Sequence, residues 1–122
     1  MEFKLYRCSH CGNIIYKVYD SKVPVICCGE KMEEMKAGTT DGAREKHVPV
    51  VTREGNEVTV QVGSVLHPML EEHYIPIIAA VNEDMVVFKL PKPGQDPILK
   101  TTLEGNVTAY EWCNLHGFWK GE

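Results

Sequence analysis

The chain has 122 residues, 43% of them hydrophobic and 25% charged, with a formal net charge of −4, a balance normal for a soluble protein of one domain, or of a very small domain beside a modest one. No run of Lys or Arg offers a stripe to track a phosphate backbone, so nucleic-acid binding loses its main electrostatic support. No apolar stretch approaches the roughly 18 residues of a membrane span, and the opening MEFKLYRC lacks the apolar region of a signal peptide; the expected address is the cytoplasm, where thiols stay reduced.

The first segment carries four of the five cysteines: Cys8, Cys11, Cys27 and Cys28. In a reducing compartment they point to metal or catalysis more than to disulfides. EFKLYR and IIYKVYD read as strands, with turn chemistry at Gly12 and Asn13. A piece below about 40 residues rarely holds itself by apolar burial alone, and four cysteines can staple it as metal ligands. A C-x2-C knuckle with a second cysteine pair gives a tetrahedral shell of sulfurs, which suits zinc or iron. Both Cys27 and Cys28 reach one ion only if the backbone turns sharply, which Gly29 would help, so a distorted tetrahedron is expected. A vicinal disulfide fits poorly with a cytoplasmic address, and a redox dithiol would not need the adjacent pair. His10, inside the knuckle, reads as a solvent-facing loop residue, because the cysteines already fill the shell.

KAGTTDGAR, residues 36–44, has no apolar residue larger than Ala and reads as a linker. The boundary falls near residue 38, giving units 1–37 and 38–122. Beyond it the pattern is β. HVPVVTR and EVTVQVGS are joined across EGNE, and Val58, Val60 and Val62 alternate with Thr59 and Gln61 as in a half-buried strand. HPMLEEHY has room for one short helical turn. YIPIIAAV and MVVFKL are two apolar runs joined by NED, and LPKPGQDP must be a loop. NVTAYEWC reads as the last strand, with Val107, Ala109 and then Glu111 opposite Thr108, Tyr110 and Trp112. Short strands at this spacing predict an antiparallel sandwich or barrel.

His47, His67, His73 and His116 all fall at strand ends or in loops, where sites are assembled on a β scaffold. Taken singly, each reads as an ordinary hydrogen-bonded histidine. His67 and His73 do not share a helix face and would have to converge through a loop. Cys113 has three readings: a small buried hydrophobe, half of a zinc site with His116, or a nucleophile with its base. A cysteine hydrolase also needs an orienting group and an oxyanion hole, and no Gly-rich element precedes Cys113.

YRCSHCGNIIYKV, CCGEKM, EKHVPVV, VGSVLHPMLEEHYI and CNLHGFWK, in that order and over nearly the whole chain, resemble the desulfoferrodoxin branch of the superoxide reductases. The resemblance implies a mainly β fold: a small desulforedoxin-like metal-knuckle domain, then an immunoglobulin-like antiparallel β-sandwich. It implies two iron ions. Cys8, Cys11, Cys27 and Cys28 match the ligands of a rubredoxin-like iron, which zinc can replace. His47, His67, His73 and His116 match the four equatorial imidazoles of the catalytic iron, and Cys113 its axial thiolate. Glu45 matches a carboxylate that ligates in the oxidised state, and Lys46 a residue that assists the anionic substrate and proton delivery. The implied activity is one-electron reduction of superoxide to hydrogen peroxide without dismutation to oxygen, an antioxidant role. The implied partners are rubredoxin or a similar donor and a second copy in a homodimer. Two other readings compete: a rubredoxin-like electron carrier with a β appendage, which leaves four histidines and Cys113 idle, and a zinc-binding interaction domain.

Overall fold

A computed structural model describes residues 2–38 and 44–122. They fall into two compact units, Glu2–Lys36 and Ala37–Glu122. Most of the expected linker, 36–44, lies outside the described residues.

The first unit holds β1 (Leu5–Arg7), β2 (Ile14–Tyr16), β3 (Ile26–Cys27), β4 (Glu30–Lys31) and β5 (Glu33–Glu34). An antiparallel sheet runs β2-β1-β5, and β3 and β4 form a separate hairpin. The buried apolar set is small: Phe3, Leu5, Met32 and the side chain of Cys8, with Phe3 stacked on Tyr16 at 5.3 Å. So little apolar surface cannot offset the chain entropy of some 35 residues. The IIYKVYD strand stops at Tyr16, and Val18 and Tyr19 stand 90% and 87% exposed. The chain turns there because the Asp20 carboxylate accepts the Lys22 amide at 2.8 Å, with Lys22 at φ 71°.

The second unit holds a short helix, α1 (Arg44–His47), and seven strands: β6 (Pro49–Glu54), β7 (Glu57–Val62), β8 (Ile77–Val81), β9 (Val86–Lys89), β10 (Ile98–Thr102), β11 (Thr108–Cys113) and β12 (Gly117–Gly121). Two antiparallel sheets, β10-β7-β6 and β12-β11-β8-β9, form an immunoglobulin-like sandwich. Its core joins Val58, Val60, Val62 and Leu99 of one sheet to Ile78, Ala80, Ala109 and Cys113 of the other. The β6–β7 hairpin closes on Gly55 at φ 62°, a value that glycine adopts without steric cost.

Two strands and one turn depart from the sequence reading. NVTAYEWC is not the last strand: β12 folds back on it, pairing Cys113 with Gly117 and Trp112 with Phe118. Gly117 permits that hairpin at φ 84°, and Gly121 passes so close to the Pro49 carbonyl that no Cβ would fit. The ILKTT segment becomes β10, registered on β7 with Leu99 opposite Val60; only one large side chain in it is fully buried, so its alternation is faint. HPMLEEHY holds no helical turn. Leu70 and His73 bridge across Glu71 and Glu72 as a tight β-turn, and the helical turn appears instead at Arg44–His47. No helix among the described residues is long and apolar enough to cross a membrane.

Candidate metal centres

One end of the sandwich gathers the four histidines and Cys113. Cys113 closes β11 and is fully buried. His116 sits in the β11–β12 hairpin, where the Trp119 indole donates to its carbonyl at 3.0 Å. His47 ends α1 at 2% exposure, and its ring stacks on Trp119 at 5.2 Å. His67, also 2% exposed, follows the turn after β7. His73 is held by the reciprocal bonds of its bridge with Leu70, 2.9 Å and 3.1 Å. Asn114 ties the last two loops together: it accepts the Tyr74 amide at 2.9 Å and donates to the Glu72 carbonyl at 3.1 Å.

The four rings close a cycle. His47 meets His67 at 4.8 Å and 71°, His67 meets His73 at 4.6 Å and 86°, His73 meets His116 at 5.0 Å and 74°, and His116 meets His47 at 4.8 Å and 79°. Each ring is thus nearly perpendicular to both neighbours, as four blades turned toward one axis. At the centre, His47 Nε2 lies 3.2 Å from His67 Nε2 and 3.1 Å from His116 Nδ1. The Cys113 sulfur stands 3.5 Å from His67 Nε2 and 3.9 Å from His116 Nδ1. One donor atom from each of the five residues lies within 4.8 Å of all the others.

This donor set fits a metal. Two bonds of about 2.1 Å at a right angle put their nitrogens about 3.0 Å apart, and at a tetrahedral angle about 3.4 Å apart. The 3.1 Å and 3.2 Å separations fall within that range, and five donors rather than four suit an ion of higher coordination number better than tetrahedral zinc. His73 Nε2 is buried with no hydrogen-bond partner, a cost of about 1–3 kcal/mol that a central cation would remove. The His67 Nδ1 lies 2.7 Å from the Pro68 carbonyl; its N–H donates there, which fixes the tautomer and leaves Nε2 free to bind.

Burial sets the proton affinities. His67 is pushed down to about 4, chiefly by desolvation, so at neutral pH it is a neutral base. His73 is lowered by burial and then by His116, and the Lys46 charge works in the same direction while Glu72 opposes it. Burial raises the Cys113 thiol, and the Leu115 and His116 amides directed at its sulfur work against that rise. Glu45 and Lys46 are exposed on α1, immediately before His47.

The four early cysteines also converge, again with donor atoms within 4.8 Å. All are free thiols. The Cys11 and Cys27 sulfurs are 3.6 Å apart, near the roughly 3.8 Å edge of a tetrahedron of about 2.3 Å metal–sulfur bonds and far beyond the roughly 2.05 Å of a disulfide. The sharp turn expected at the cysteine pair is present: Cys28 has φ 53° and Gly29 φ 80°. The Cys11 amide points at the Cys8 sulfur at 3.5 Å. That bond does most to bring Cys8 down to about 6, while crowding by Cys11 and Cys8 drives Cys28 up to about 12. Four sulfurs this close cannot all ionise without a cation among them. His10 points away, to Glu30 at 3.1 Å.

Comparison with known proteins agrees with this geometry. The family model described as desulfoferrodoxin matches residues 39–122. The chain belongs to the desulfoferrodoxin family. A desulfoferrodoxin of Nitratidesulfovibrio vulgaris is 45% identical over 122 residues, covering 99% of this chain and 97% of its own. A desulfoferrodoxin homolog of Archaeoglobus fulgidus is 45% identical over 118 residues, covering 96% and 94%. The crystal structure of the superoxide reductase from Treponema pallidum superposes with a TM-score of 0.79 at 34% identity, covering 100% of both chains.

Within this desulfoferrodoxin sandwich the alternation of Val107, Ala109 and Glu111 holds, and it buries a carboxyl group for which the sequence suggested no role. Glu111 precedes Cys113 by two residues on the same face of β11, is 1% exposed, and neither carboxylate oxygen has a hydrogen-bond partner. Burial raises its pKa well above the ordinary carboxylate value. The signal was in the sequence: a glutamate on the apolar side of an alternating strand.

Proposed function

We propose that the chain is a superoxide reductase with two iron centres. The first, in residues 1–37, is held by Cys8, Cys11, Cys27 and Cys28, where zinc can take the place of iron. The second, in residues 38–122, is held by His47, His67, His73 and His116 around Cys113. The closed ring of four near-perpendicular imidazoles with a buried sulfur against it carries this reading. Five donors suit an ion that prefers six positions and leave one for substrate. Neither a pure electron carrier nor a zinc interaction module requires such a ring.

The reaction takes one superoxide, one electron and two protons to one hydrogen peroxide. Ferrous iron in the ring would supply that electron. The chain's own residues do the rest. Neutral His67 and His73 present nitrogens without competing protons. The Leu115 and His116 amides steady negative charge on the Cys113 sulfur. Superoxide is an anion and the protein carries a net −4, so a local positive charge is needed to keep encounter fast. Lys46 is the candidate: it precedes His47, and its positive charge bears on His73. Glu45, one residue further back, is the candidate oxygen ligand of the oxidised centre. A one-electron donor such as rubredoxin, a homodimer and a cytoplasmic site of action complete the reading.

Metal analysis tests it. Two irons per chain are expected, one with an all-thiolate spectrum and one with a cysteine-to-ferric charge-transfer band. One iron would favour the carrier, and zinc alone the interaction module.

A further inference from the structure

α1 is too short to hold its own shape. It has four residues, the Val48 amide donates to the Arg44 carbonyl at 2.9 Å, and an isolated helical turn is unstable in water. The segment after β7 holds it instead. The Gly63 amide donates to the Val48 carbonyl at 3.2 Å, and the Val65 amide to the Glu45 carbonyl at 3.0 Å. The Ser64 hydroxyl donates to the same Glu45 carbonyl at 3.2 Å. Gly63 has φ 82°, and a Cβ there would lie 2.7 Å from both Cα and the carbonyl carbon of Lys46 and 2.5 Å from the Val65 carbonyl oxygen. Real Cβ contacts do not come so close, so the Lys46 backbone rests on a glycine that cannot be enlarged without moving it.

We infer that the turn Gly63–Ser64–Val65 is a latch that seats the Glu45–Lys46 backbone at the rim of the histidine ring, and that Gly63 and Ser64 are positioning residues for substrate capture through Lys46. The inference rests on the reading of Lys46 as the charge that attracts superoxide. The hydrogen bonds of the latch go to the backbone carbonyls of Glu45 and Val48, so its loss acts first on the segment that carries the lysine.

The test is a double-mutant cycle on the iron-loaded protein. Gly63→Ala, Lys46→Ala and the pair are compared by the second-order rate with superoxide at low and high ionic strength. Amide hydrogen exchange over residues 44–48 and 63–66 is measured alongside. Gly63→Ala is expected to speed exchange in both segments about tenfold, to keep its iron and charge-transfer band, and to slow capture toward the Lys46→Ala level with a flattened salt dependence. In the Lys46→Ala background it should slow nothing further, because both act through one group. If Gly63→Ala does not load iron, Ser64→Ala, which deletes one hydroxyl without strain, carries the same cycle with a smaller loss. Unchanged exchange in the variant used would overturn the latch, and so would a rate loss that adds in full on Lys46→Ala. If Lys46→Ala alone reacts at the wild-type rate, the steering role falls and exchange alone judges the latch.

Discussion

At the scale of residues, two buried groups make opposite pH demands on the sandwich. His67 is held down at about 4 by desolvation, against about 6.5 for an unfolded histidine. Between those values the unfolded chain binds a proton that the folded one does not. In the metal-free protein this contribution is therefore whole above pH about 6.5 and is lost as pH falls toward 4. Denaturant midpoints of apo-protein should drop through that window, and His67→Gln should flatten the drop. An equal drop in the variant would mean that other groups carry it. Glu111 works the other way. Its folded pKa is raised, so its contribution is whole below about 4.3 and declines as pH rises, because the unfolded carboxyl ionises first. Glu111→Gln should gain on wild type as pH climbs from about 4 to 7. A constant difference between the two across that range would show that the native carboxyl is ionised.

At the scale of elements, legibility followed how strongly each segment alternates. β7 was readable because Val58, Val60 and Val62 are all buried and Thr59 and Gln61 are not. β12 was not, since Gly117 and Gly121 carry no pattern and the strand exists through its pairing with β11 and its close approach to Pro49. The candidate ligands were legible as residue types, and the family motifs implied that they converge, but spacing alone did not show how. His47 and His67 meet because α1 and the turn after β7 are tied through Glu45 and Val48, a tertiary relation that no spacing encodes. Glycines 12 and 29 punctuated the knuckle as expected; the demand on Gly63 comes from a partner 17 positions away and is invisible locally. The small first unit makes a sharper demand. Its apolar core is so slight that the metal must supply most of its stability. Cys11→Ser should abolish the amide dispersion of residues 2–36 in an NMR spectrum while the sandwich keeps its own resonances. A first unit that stays folded without metal would contradict this account.

At the scale of the whole molecule, the chain separates two kinds of metal chemistry. The sulfur-only cluster lies in a unit whose buried apolar core is slight. The nitrogen-rich ring lies at the end of a sandwich whose valines, isoleucines and leucines hold it independently. This division explains why Cys113 lies so far in sequence from the other cysteines: it serves another centre. It also means that reactivity toward superoxide should survive loss of the first metal, so a Cys11→Ser protein with a loaded second centre should still be oxidised by superoxide. The most direct measurement of the central claim is the product count when reduced, iron-loaded protein meets superoxide. The account predicts one hydrogen peroxide formed for each superoxide consumed, one electron lost per catalytic iron and no dioxygen released. One peroxide for every two superoxides, with dioxygen evolved, would mean dismutation and would contradict it.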